Sequence, residues 1–153
     1  MREKTKVMEL DGKQYEFKRF LPEVGSYILY QLLGSAMKRA QEVSAAEAPP
    51  PSDFDKTTPE EKARAMVGSA LFGGLNFETH KFVQCETMKL ISRYESANGS
   101  QPVPVPLTDA SGRWGAHDVR DDLSLVDRLE IECLVWQFSG FFEQEVLESF
   151  KAK

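Results

Sequence analysis

The sequence is poor in the residues that carry most metal and redox chemistry, with two cysteines and two histidines in 153 residues. Cys85 and Cys133 lie far apart, each among apolar neighbours in a helical pattern. Cysteine in that setting acts as a small hydrophobe, so two buried thiols outside any disulfide are expected. His80 and His117 fall in separate segments and form no Cys/His spacing of the kind zinc sites use. Long apolar runs are missing too. The strongest, from Leu134 to Phe142, is broken by Gln137, Ser139 and Gly140 and falls far short of the roughly 20 residues that cross a bilayer. No membrane span and no secretory leader are expected, because the start, Met1-Arg2-Glu3-Lys4, leads into an alternating pattern without an apolar h-region. A basic excess is also absent. The net charge of −5 and pI near 5.2 disfavour a phosphate-tracking surface, so nucleic acid is not an expected partner.

Several catalytic signatures are missing as well. Asp109, Asp118, Asp121 and Asp122 crowd one stretch, but their spacing lacks the alternating ligands and final glutamate of an EF-hand. They read as a solvated acidic loop ahead of the last helix. Gly-Ser-Ala occurs at 34 to 36 and again at 68 to 70, yet neither copy is a G-x-S-x-G elbow. Both look like small residues where helices pack closely. No phosphate-cradling glycine loop or matched carboxylate pair stands out. No catalytic, cofactor or metal site is therefore assigned, and an enzyme is not expected.

What is present reads as a mostly helical α+β chain. At 17.3 kDa it has the usual size of one domain, and the expectation is a single domain over 1–153. Two alternating runs in "KTKVMELDGKQYEFKRF" are joined by Asp11-Gly12, which tolerates the positive φ angles of a tight hairpin turn. A two-residue turn sets Met8, Leu10, Tyr15 and Phe17 on one side. That side needs cover, and the next element should supply it: an N-terminal β-hairpin packed on a bundle of about four to five helices. After Pro22, the residues Val24, Ile28, Leu32 and Ala36, joined by Leu29, Leu33, Met37 and Ala40, recur at helical spacing to about Val43. The prolines 49 to 51 stand in a polar, acidic tract that is expected to be an exposed internal linker over 44–58.

Thr58, Pro59 and Glu61 form a helix start, with Ala63, Met66, Val67, Ala70 and Leu71 facing inward and Gly73-Gly74 as the stop. A third helix is expected from an Asn76 cap to Asn98-Gly99, with Val83, Leu90, Ile91 and Tyr94 as its stripe. Residues 96–123 then read as a long loop, since "PVPVPL" is too proline-rich for a central strand. Ser124 and Asp127 give a second capping signal for a last helix that is apolar on more than one face between Leu129 and Phe142. Ser139-Gly140 should kink or split it.

The order "ELDGKQYEFKRFLPEVGSYIL", a variable linker, middle helices and a late "LVWQFSGFFEQ" resembles the tail assembly chaperones of long-tailed bacteriophages. In that family a hairpin of the form "LDGK-Y-F" leads through a proline turn into a Leu-rich helix, and a late motif pairs Asn-Phe with a Phe pair. Gln137-Phe138 and Phe141-Phe142 stand in those places, with Gln137 where the family has Asn. The likeness covers both ends and about half of the chain. It implies a non-virion helper in the host cytoplasm that binds the tape measure protein and hides its apolar helical segments. Such a helper is displaced as tail tube protein polymerises, and a homo-oligomer is compatible with it. Aromatic density beyond one buried stripe then points to Trp136, Phe138, Phe141 and Phe142 as partner-binding residues. Two alternatives stay open: a structural tail component retained in the virion, and a small enzyme of unrecognised type.

Overall fold

Asp11 and Gly12 take φ angles of 52° and 78°, and the chain turns back on itself there. Strands β1 (Thr5–Leu10) and β2 (Lys13–Lys18) pair in the expected register, Leu10 opposite Lys13, Met8 opposite Tyr15 and Lys6 opposite Phe17. The computed structural model describes residues 3–47, 58–96 and 99–143, the side chains of 39–47 excepted. Over these the fold is α+β and mostly helical. Helix α1 spans Pro22–Glu47, α2 Pro59–Ser69, α3 Phe77–Met88, α4 His117–Arg120 and α5 Leu123–Phe138. Most of the expected 44–58 linker lies outside the described residues, and α1 reaches four residues past Val43 to take up its start. The chain divides into two compact units, one of Met1–Leu21 with Phe82–Cys133 and one of Pro22–Lys81 with Leu134–Lys153.

The first unit holds an antiparallel sheet of four strands in the order β1-β2-β3-β4. Strand β3 (Ile91–Glu95) replaces the second half of the expected third helix, which ends at Met88. Leu90, Ile91 and Tyr94 fit a helical stripe by spacing alone. The β-branched Ile91 and aromatic Tyr94 suit a pleated surface, though, and Ile91 and Arg93 fall on the Phe17 and Tyr15 side of the sheet. Strand β4 (Val103–Pro106) likewise corrects the expected long loop over 96–123. Its prolines are tolerated because it is an edge. Leu107 N–H donates to the Ile91 carbonyl at 3.0 Å, so by the two-residue period the N–H groups of Val105 and Val103 also face β3. Pro104 and Pro106 then occupy the outward positions, where no donor is needed.

Buried Arg93 crosses from this sheet to α4. Its guanidinium donates to both carboxylate oxygens of Asp118, at 2.6 and 3.3 Å, and to Glu95 at 2.9 Å. That pairing holds the Asp118 carboxyl below its ordinary range. Tyr15, beside Arg93 in the register, has its phenol pushed up mainly by burial. The expected capping signal for α5 is displaced by two residues, since the Asp122 carboxylate accepts from Leu125 N–H at 3.1 Å. Cys133 is buried as expected, whereas Cys85 is exposed on α3; neither forms a disulfide.

In the second unit the α2 start forms as read. Thr58 Oγ1 accepts from Glu61 N–H at 3.1 Å, Pro59 opens the helix, and Ala63, Met66, Val67 and Ala70 are buried. Ile28 and Leu32 of α1 are fully buried. The end of α5 behaves as expected at Ser139-Gly140, where the chain tightens into a 3₁₀ turn, Ser139–Phe142, that packs against α2.

Candidate functional site

Trp136, Phe138 and Phe142 are buried, and only Phe141 keeps a half-exposed ring. Phe141 and Phe142 meet edge to face at 5.2 Å, a packing geometry of cores. Three of the four aromatics expected to face a partner therefore fill the interior. The burial has a physical reason: the 3₁₀ turn after Phe138 swings Phe142 toward α2, and a helix apolar on several faces can be enclosed by its own chain.

The exposed aromatics lie elsewhere, at the junction of α2 and α3. Helix α2 continues as a wide π turn, Ala70–Gly74, in which Phe72 leaves the helical region and Gly73 takes φ 154°. Gly74 follows at a point of close approach: a Cβ there would stand 2.8 Å from Ser35 Cβ on α1, so only glycine lets the turn seat. Ser35 belongs to the first Gly-Ser-Ala segment, though a Cβ on that segment's Gly34 would meet nothing within 4 Å among the described residues. Leu75 is half-buried, and Asn76 caps α3 as expected, its Oδ1 accepting from Thr79 N–H at 2.8 Å. The corner is thus fixed on both sides by backbone geometry. It projects Phe72 and Phe77, which are 70% and 76% exposed and are the two most solvent-accessible aromatic rings of the described residues. No motif marks this pair in the sequence. The signal was the Gly-Gly stop itself, which takes the flanking phenylalanines out of the buried stripe of α2.

Charged clusters in the first unit read as structure. The "TDASGRWG" loop is tied by Asp109, whose Oδ1 accepts from Ser111 N–H, Ser111 Oγ and Arg113 N–H at 2.9, 2.6 and 2.9 Å. An open groove of about 570 Å³ beside it is lined by Lys89, Thr108, Asp109, Arg113 and Trp114. The Ser111 hydrogen bond holds the Asp109 carboxyl low, and Glu86, 3.1 Å from Lys89, holds that ammonium high. Both shifts favour the charged forms and away from the neutral range where acid–base catalysis works. Among the described residues, Glu130 alone is pushed toward that range. Burial, with a smaller contribution from Asp127 and opposed by a hydrogen bond with Gln84, raises its carboxyl to about 8. It is enclosed in α5 with 1% exposure. Among the described residues no three His, Cys, Asp or Glu side chains converge as a metal site. None of the described helices is long and apolar enough to cross a membrane.

Compared with protein families, curated proteins and solved structures, the chain matches none.

Proposed function

We propose that this chain is a tail assembly chaperone of a long-tailed bacteriophage, binding an apolar helical segment of a tape measure protein through the Phe72 and Phe77 corner. The observation that carries the reading is the exposure of two large rings on a turn held rigid by Gly74 against Ser35. Rigid aromatic anchors lose little entropy on binding and dominate many interfaces. An amphipathic helix offers the apolar face such anchors need. The resemblance at the hairpin and the late aromatic motif supports the same class. On this reading the chain acts in the host cytoplasm, leaves before the tail is complete, and yields its client as tail tube protein polymerises.

Co-expression tests it. The tape measure protein should become more soluble and co-purify with the chain. Phe72→Ser with Phe77→Ser should weaken capture by about 2 kcal/mol or more, roughly 30-fold, with the melting temperature unchanged. A tape measure protein that stays insoluble and unbound sinks the proposal. Purified virions containing the chain in many copies would instead establish a structural tail component.

A further inference from the structure

Gly34 stands in the middle of α1, where glycine is the least favourable residue after proline. A side chain there would meet no atom within 4 Å, so its small size serves no packing among the described residues. Around it runs an exposed row, Glu23, Tyr27, Tyr30, Gly34 and Lys38, spaced by four, three, four and four residues along one helix face. Tyr27 and Tyr30 are 47% and 65% exposed, and Met37 beside them is 56% exposed. This face is distinct from the one that buries Ile28 and Leu32.

The row is complementary to itself when reversed, because its ends carry opposite charge and Tyr27 and Gly34 lie equally far from its midpoint. If a second α1 is laid antiparallel so that Glu23 faces Lys38 of the second copy, Tyr27 falls opposite its Gly34. The two-fold axis then passes between Tyr30 and Gln31. Every contact away from the axis is made twice, as an isologous interface requires. Two ion pairs close the ends of a seam spanning about 22 Å, two tyrosine rings enter the open notches over Gly34, and the two Tyr30 rings meet near the axis. A parallel pairing would set Glu23 beside Glu23 and Lys38 beside Lys38. Charge therefore selects the antiparallel arrangement.

We propose that the α1 face of Glu23, Tyr27, Tyr30, Gly34 and Lys38 pairs with the same face of a second copy in an antiparallel two-fold dimer. The inference rests on this face alone and is independent of client capture by Phe72 and Phe77.

Sedimentation equilibrium on the full chain tests it, with circular dichroism as a control for folding. The wild type should be dimeric. Glu23→Lys or Lys38→Glu alone should raise the dimer dissociation constant roughly tenfold or more, since each turns two symmetry-related attractions into repulsions. The double variant E23K/K38E should restore the wild-type value. Gly34→Leu should give a folded monomer, because the added side chain fills the notch that Tyr27 needs. A wild type that stays monomeric overturns the proposal, as does a dimer indifferent to both charge reversals and to Gly34→Leu.

Discussion

At the scale of single residues the described interior holds a carboxyl group whose protonation is coupled to folding. Glu130 is held protonated at neutral pH with a carboxyl near 8, against about 4.5 when the chain is unfolded. The folded state thus binds one more proton between those limits, so stability is full below about pH 4.5 and falls as pH rises through 8. Asp118 has the opposite sign. Its carboxyl is lowered by Arg93, and that contribution is present above the ordinary aspartate value and lost in acid. Glu130→Gln keeps the shape and removes the titration. We expect the variant to gain on the wild type by on the order of 3–5 kcal/mol between pH 5 and pH 9. Urea midpoints measured at both values check this, and parallel curves would mean that Glu130 ionises without cost. The sequence carried a hint of this enclosure, since the i−4 and i+4 neighbours of Glu130, Val126 and Leu134, are both apolar, but no motif singled the residue out.

At the scale of elements, local chemistry was legible where one or two residues dictate backbone geometry. Asp11-Gly12, the Thr58-Pro59-Glu61 start, the Gly73-Gly74 stop and the Asn76 cap all act within a turn of themselves, and each forms as read. The sheet was half missed because its other half depends on distant partners. Ile91–Glu95 has no alternation strong enough to overrule a helical stripe, and it becomes a strand by pairing with β2, more than seventy residues earlier. Strand β4 was hidden by its prolines, which signalled a break where they only mark an edge. The placement of those prolines can be tested. Val105→Pro would put a proline on the inward side, remove the N–H aimed at β3 and leave the Arg93 carbonyl without its donor. A loss of roughly 2–3 kcal/mol is expected, against almost none for Gln101→Pro, which lies outside the strand. Denaturant unfolding of the two variants decides it, and equal losses would contradict the assigned strand direction.

At the scale of the whole molecule, the sequence showed how much aromatic surface the chain carries but not which part of it faces water. Ten phenylalanines exceed what one helix stripe can hide, and the late cluster at Trp136, Phe138, Phe141 and Phe142 drew attention because it is dense. Density, however, is equally the mark of a core, and enclosure depends on which elements return to cover a segment. The 3₁₀ turn against α2 encloses Phe142, while the Gly-Gly corner turns Phe72 and Phe77 outward. These two placements predict opposite behaviour. Phe142→Ala opens a cavity where the ring now packs, edge to face, against Phe141, and should cost about 3–4 kcal/mol with a fall in melting temperature. Phe77→Ala removes a ring 76% exposed and should change stability by less than about 0.5 kcal/mol. Any loss of client capture by Phe142→Ala must then track its unfolding and be recovered at lower temperature. Loss by Phe77→Ala should persist in a fully folded protein. If instead Phe142→Ala leaves stability intact and abolishes capture, the late aromatics are the interface and the Phe72 and Phe77 corner is not.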